Sequence, residues 1–141
     1  MTPPAKATLP LLHLFLGIGQ LLLFGGFAVA RQLGFKAEVD GSAAFQNGVV
    51  YVTGGVALLM LFVAYFILKP RAPRLRQGQS VQEYWTTPGA MVAVRVWFVC
   101  EGASIFAVMG YFLTGAPVAV TVTAIAIVAY WLLGPNAFAK P

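Results

Sequence analysis

Four long apolar segments constrain this chain more than any other feature of its sequence. They cover residues 9–30, 48–68, 92–113 and 117–133. A lipid hydrocarbon core about 30 Å thick needs roughly 20 apolar residues of helix to cross it. Transmembrane β-strands would instead be about ten residues long and alternate in hydrophobicity. We therefore predict an all-α integral membrane protein, a four-transmembrane-helix bundle forming one membrane domain over residues 1–141.

Composition excludes a water-soluble globular domain. Hydrophobic residues make up 60% of the chain and charged residues 9%, whereas about 25% charged is usual in soluble domains. The net charge of +5 is not gathered on one basic face, so we expect the lipid bilayer as partner and no nucleic acid. With one cysteine, Cys100, and one histidine, His13, the chain has no disulfide, zinc or bis-histidine haem motif. We expect no cofactor, no metal site and no enzymatic activity.

The basic residues predict the orientation, because cytoplasmic segments of membrane proteins carry the excess of Lys and Arg. Segments predicted inside hold Lys6, Lys69, Arg71, Arg74, Arg76 and Lys140, and the first connection holds Arg31 and Lys36. Both ends and the basic loop 69–91 are therefore expected in the cytoplasm, with Glu38 and Asp40 outside. The cluster Lys69, Arg71, Arg74 and Arg76 would also attract anionic lipid headgroups, but orientation alone accounts for it.

The first apolar segment has one feature of a signal peptide, since Ala28-Val29-Ala30 resembles a cleavage site. Its apolar region is longer than the usual 7–15 residues or so, and it contains His13 and Gln20. We expect it to remain as a helix. Cleavage would leave three helices in the same orientation.

Local signals predict the remaining connections. Ser80 to Glu83 matches a capping box, in which serine and glutamate satisfy the free N–H groups of a new helix. A short interfacial helix is therefore expected before the third apolar segment. The turn from Thr114 to Pro117 is so short that the third and fourth segments must form a tight antiparallel hairpin.

Aromatic pairs follow the capping box and close the fourth segment. They are Tyr84 with Trp85, and Tyr130 with Trp131. Because amphipathic rings prefer the membrane–water interface, we expect both pairs at headgroup level.

Glu101 lies near the middle of the third apolar segment. A charged side chain there costs about 2.5–3.5 kcal/mol on insertion scales, and keeping it protonated at pH 7 costs about 3.7 kcal/mol from its reference pKa. Because these costs nearly match, hydrogen-bond partners decide its state. Gln20, near the middle of the first segment, is the best-placed partner, and His13 on the same face would extend a polar track to the inner surface.

Two main interpretations of Glu101, Gln20 and His13 stay open. They can be interhelical contacts, worth on average about 0.6 kcal/mol in membranes. They can also form the protonation site and path of a small transporter or channel. A third interpretation is that these residues form a site for a partner subunit or a lipid.

The third segment also carries a stripe of small residues, Ala103, Ala107, Gly110 and Thr114. It lies nearly opposite Glu101 on a helix, and small residues allow close helix contact in lipid. We therefore expect the third helix to have neighbours on both sides and to be the most buried. Glycines elsewhere make similar contacts plausible, at Gly17, Gly19, Gly25, Gly26, Gly54 and Gly55.

Residues Arg95 to Leu113, with Glu101-Gly102 and Phe106, resemble the proton-carrying helix of rotary ATPase c subunits, which implies proton binding at Glu101. The first segment departs from that family, since it lacks the family's dense alternating glycines. As a whole the chain resembles uncharacterised four-helix inner-membrane proteins of bacteria, through its Arg-to-Glu-Gly helix and the Leu-Thr-Gly turn at Leu113. That resemblance implies a multi-pass protein of a bacterial inner (cell) membrane and no particular activity.

The sequence thus predicts a non-enzymatic polytopic membrane protein, a structural or accessory subunit of a membrane assembly. It is expected to form a homo-oligomer or to bind another membrane subunit. The alternative is a small proton-coupled transporter or channel that acts as an oligomer through Glu101.

Overall fold

A computed structural model describes residues 8–35 and 42–140. Within them the chain is helical and has no strand. The α-helices are α1 (Thr8–Gln32), α2 (Ala43–Phe62), α3 (Val81–Tyr84), α4 (Met91–Thr114) and α5 (Pro117–Leu132). The predictions placed on Lys6, Lys36, Glu38 and Asp40 lie outside the described residues.

Three helical stretches are long and apolar enough to cross a membrane: 9–32, 43–71 and 88–114. The all-helical, membrane-type fold is confirmed at that level. The fourth apolar segment forms α5, which has 16 residues. At 1.5 Å per residue α5 is about 24 Å long, shorter than a hydrocarbon core of about 30 Å.

The second apolar segment begins earlier than predicted and changes helix type before its predicted end at residue 68. Helix α2 begins at Ala43, before the predicted residue 48, because the Ser42 side chain caps it by accepting a hydrogen bond from the Phe45 N–H at 3.4 Å. Polar residues in its first turns ended the apolar pattern too early. At its other end α2 continues as a π-helical turn, Val63–Leu68, and a 3-10 turn, Lys69–Arg71.

The predicted capping box is present at the start of α3. The Ser80 N–H donates to Glu83 Oε2 at 2.9 Å, and the Glu83 N–H donates to Ser80 Oγ at 3.2 Å. Tyr84 and Trp85 do not project from the surface, being 1% and 7% exposed. They pack inward because the bend at residues 86–90 turns α3 back onto α4, where Trp85 lies 5.7 Å from Trp97.

The tight hairpin between α4 and α5 is confirmed. Gly115 ends α4 with a positive φ of 67°, a conformation that glycine adopts at no steric cost. The guanidinium of Arg31, from α1, occupies the space that a side chain at Gly115 would need. Its Nη1 donates to the Phe112 carbonyl at 2.8 Å, so a cation from α1 caps the negative end of the α4 dipole.

Helix α4 is the centre of the fold, since it contacts α1, α2 and α5. Half of its apolar window is buried, against 17% for α1 and 22% for α2, which confirms that it is the most buried spanning helix. The small residues Ala103 and Ala107 pack with Ala57 of α2 and Ala126 of α5.

The other two residues of the small-residue stripe, Gly110 and Thr114, have different roles. Gly110 lies against Thr53 of α2 and leaves no room for a side chain. The Thr114 hydroxyl instead bonds to the Gly110 carbonyl at 2.7 Å and accepts from the Ala116 N–H at 3.2 Å. Thr114 therefore stabilises the hairpin turn.

Candidate functional site

Glu101 and Gln20 meet between α4 and α1. The Gln20 Nε2 donates to Glu101 Oε2 at 2.5 Å. Gln20 is almost fully buried, at 1% exposed, and Glu101 is partly buried. The structure thus brings together two of the three polar residues that the sequence places on one track.

His13 is buried too, but it pairs with Tyr130 of α5. The two rings stack with their centres 4.4 Å apart and their planes 4° from parallel. The Tyr130 hydroxyl donates to the His13 carbonyl at 2.6 Å, and His13 Nε2 lies 3.3 Å from the Tyr130 carbonyl. Because a carbonyl only accepts, Nε2 carries the hydrogen in this reciprocal pair.

Aromatic rings interrupt the predicted track between His13 and Gln20. A Cβ added to Gly17, which lies between them on α1, would be 2.7 Å from Trp131 Cζ2 and 3.1 Å from Tyr130 Cε1. The glycine therefore makes room for these rings. The three polar residues form two separate interhelical contacts, His13 with Tyr130 and Gln20 with Glu101.

Sequence reasoning missed the inward role of Tyr130 and Trp97. Tyr130 is 0% exposed, so its ring faces the other helices, while its depth at the membrane interface stays a prediction. Trp97 is also buried and its Nε1 donates to the Leu133 carbonyl at 2.7 Å. A signal for Tyr130 was available, because it continues the small-residue spacing of Ala119, Thr123 and Ala126 on α5, all of which are buried.

The Gln20 amide can form a hydrogen bond with Glu101 in more than one way. Its Oε1 is buried and has no hydrogen-bond partner in the described part of the chain. An amide carries both a donor and an acceptor, so Gln20 can donate to a carboxylate or, turned by 180°, accept from a protonated Glu101. Either charge state of Glu101 can be paired.

Glu101 also borders an exposed strip of α4, formed by Phe98, Ile105 and Met109. These side chains are 54%, 42% and 39% exposed, and their helical spacing puts them on one face beside Glu101. On one border of this α4 strip Glu101 contacts α1, and on the other Gly102 contacts Met60 of α2. The Glu101 carboxyl, near the middle of α4, therefore lies at the edge of an exposed apolar surface.

The predicted basic cluster lies at the end of the molecule where α2 finishes. Lys69 and Arg71 belong to the 3-10 turn, and Arg74 and Arg76 follow in an exposed segment. The backbone N–H of Leu75 donates to the carbonyl of Lys140 at 3.0 Å. The basic segment is thus attached to the C-terminal residues and does not run free in solvent.

Tyr84, the last residue of α3, has a buried hydroxyl without a hydrogen-bond partner among the described residues. Burial raises the pKa of its phenol, because the charged form loses its hydration. Among the same residues no three His, Cys, Asp or Glu side chains are placed to hold a metal ion.

Comparison of the chain with protein-family models, curated proteins and solved structures found no match. The site is therefore interpreted from its own geometry.

Proposed function

We propose that this protein is a non-enzymatic structural or accessory subunit of a membrane assembly, either as a homo-oligomer or with another membrane subunit. We place it in a bacterial inner membrane, crossing it four times with both ends in the cytoplasm. The orientation rests on the basic loop and Lys140, which are attached to each other at one end of the molecule.

The fourth crossing is assigned to α5 because of what precedes and follows it. The hairpin at Gly115 reverses the chain from α4, and the bond between Leu75 and Lys140 returns the C-terminal residues to the end that carries the basic loop. A 3-10 turn, Pro135–Ala137, extends the helical path beyond α5. Local thinning of the bilayer can accommodate the short α5 at modest cost.

The observation that carries the proposal is the partial burial of Glu101 at the edge of the α4 strip. Ionisable side chains within the bilayer rarely face lipid and usually face protein. A second protein surface over Phe98, Ile105 and Met109 would remove that exposure. The expected occupant is a transmembrane helix of another copy or of a partner subunit.

A proton-coupled transporter or channel is the second candidate, and the Gln20 amide favours it. Gln20 can pair with both charge states of Glu101, so protonation need not break the contact. The separation of His13 from Gln20 by the rings of Tyr130 and Trp131 disfavours it, since His13 is bonded to Tyr130. We therefore rank it below the accessory role.

Purification of the tagged chain in native lipid particles, followed by measurement of the particle's protein mass, tests the proposal. A constant ratio to a partner, or a fixed number of copies, is expected. Glu101→Leu should lower that ratio, while Glu101→Gln, which keeps the polar group, should retain it. A chain that purifies alone as a monomer contradicts the accessory role.

Measuring proton flux through the purified chain in proteoliposomes tests the second candidate, a transporter or channel. If the purified chain alone dissipates a proton gradient and Glu101→Gln abolishes this, the protein is a transporter or channel. Gradients that survive equally with both chains exclude that function.

A further inference from the structure

A cleft of about 460 Å³ lies between the end of α2 and the C-terminal residues. Its lining combines aromatic rings and cations, which are Tyr65, Phe66, Phe138, Lys69, Arg74 and Lys140. No acidic side chain is among the described residues that line it. The rings and the cations come from two separate parts of the sequence, residues 65–74 and 137–140.

The cleft is built by specific contacts of its walls. The bond from the Leu75 N–H to the Lys140 carbonyl, at 3.0 Å, joins the basic segment to the C-terminal wall. Pro73 packs on Gly89, where any side chain would collide with the proline ring. On the α2 side, Lys69 Nζ lies 4.4 Å from the centre of the Tyr65 ring, within cation–π range. These contacts fix the backbone that forms the walls of the cleft.

Orientation signals alone do not account for this arrangement. The positive-inside bias needs Lys and Arg in a cytoplasmic segment, but it does not need them to share a cleft. Lys69, Arg74 and Lys140 nevertheless all line it, and like charges that share a site repel. A bound anion would convert that repulsion into attraction.

The position of the cleft along the molecule indicates which class of anion it would bind. It opens where the apolar α2 stretch gives way to Lys69, next to the exposed rings of Tyr65 and Phe66, which are 48% and 62% exposed. Aromatic rings and cations together are typical of headgroup depth in a membrane. The π-helical turn that carries both rings is a form often found at functional sites.

We propose that this cleft binds a phosphate group, held by Lys69, Arg74 and Lys140. The aromatic wall contacts the apolar part of the molecule that carries the phosphate. An anionic phospholipid supplies both parts, and a soluble phosphate ester supplies the same charged group.

Native mass spectrometry of the full chain, released from phosphatidylcholine nanodiscs containing a minor fraction of phosphatidylglycerol, tests the site. Arg74→Gln should weaken phosphatidylglycerol retention about tenfold, the factor that corresponds to the loss of one hydrogen bond between charged groups, about 1.5 kcal/mol, at 1.4 kcal/mol per factor of ten. Lys140→Gln should do the same. Arg71→Gln is the matched control, because Arg71 lies in the same loop, carries the same charge and does not line the cleft.

A second arm identifies the source of the phosphate. Titration of glycerol phosphate and of inorganic phosphate is followed in phosphatidylcholine nanodiscs without anionic lipid. Arg74-dependent binding of these soluble ions supports the site and assigns it to a soluble ester, whereas retention of phosphatidylglycerol alone assigns it to lipid. Equal retention by the Arg74→Gln, Lys140→Gln and Arg71→Gln chains, each with wild-type helical content, overturns the proposal.

Discussion

Glu101 and Gln20 form a side-chain hydrogen bond between two apolar helices, where lipid offers no competing partner. Depth along the helices was enough to predict this pair, because only groups at matching depth can meet. Depth did not predict which way the Tyr130 ring points, and the structure shows that it is buried among the helices. An amphipathic ring near a helix end reads the same whether it points inward or toward headgroups, so only packing distinguishes the two.

Substitutions of Glu101 test the contact at residue scale. Glu101→Gln should leave the free energy of unfolding within about 0.5 kcal/mol of wild type, since the amide keeps a hydrogen bond to Gln20. Glu101→Leu should lower it by about 1–3 kcal/mol, because the buried Gln20 amide loses its partner. Reversible unfolding in bicelles measures both, and a Glu101→Leu chain as stable as wild type would show that the bond contributes nothing.

Substitutions of Tyr130 and Tyr84 compare the contribution to stability of a buried hydroxyl that is hydrogen-bonded with that of one without a described partner. Tyr130→Phe removes the bond to the His13 carbonyl and should lower the free energy of unfolding by about 0.6 kcal/mol. Tyr84→Phe removes a hydroxyl that is buried without a described partner, so stability should stay the same or rise. The same unfolding measurement serves both, and a larger loss for Tyr84→Phe than for Tyr130→Phe would contradict these assignments.

Helix α4 could be predicted as the central element, since Glu101 and the small-residue stripe point to opposite sides of it. The sequence did not predict two other features of the helices, the π-helical turn and which glycine makes a close contact. The π-helical turn at Val63–Leu68 has no pattern of its own in an apolar run. Glycines likewise looked alike in sequence, yet Gly17 is in close contact whereas Gly19, Gly25, Gly26 and Gly55 have nothing within 4 Å of an added Cβ.

Gly17 and Gly19 therefore provide a test at element scale, within one helix. Gly17→Ala places a methyl group against the Trp131 ring and should lower the free energy of unfolding by about 1–3 kcal/mol, the usual cost of overpacking. Gly19→Ala meets open space and should be neutral or slightly stabilising. Equal effects of the two substitutions would mean that α1 does not pack on α5 in this register.

For the whole molecule, length and hydropathy predict a helical membrane protein but not how α5 completes it. The apolar segment 117–133 yields a helix of 16 residues, and its contacts with α1, α2 and α4, together with the attachment of Lys140 to the basic loop, define its path. Charge bias predicts which end faces the cytoplasm, a property that helix packing itself does not determine.

Single-cysteine labelling in intact cells tests this orientation. Ala44→Cys, at the start of α2, should react with a membrane-impermeant thiol reagent added outside. Gln77→Cys, in the basic loop, should react only after permeabilisation. The native Cys100 is buried, so the wild-type chain serves as the unlabelled control. The reverse labelling pattern would invert the topology.

Site-specific photo-crosslinking in living cells tests whether another protein helix covers the α4 strip. Ile105 in the strip and Ile125 on α5 are matched, being 42% and 47% exposed. A photoreactive residue at Ile105 should crosslink to a second copy or a partner subunit, and one at Ile125 should give far less protein crosslinking. If both positions capture only lipid, the strip faces the bilayer and the account of Glu101 as a subunit contact is wrong.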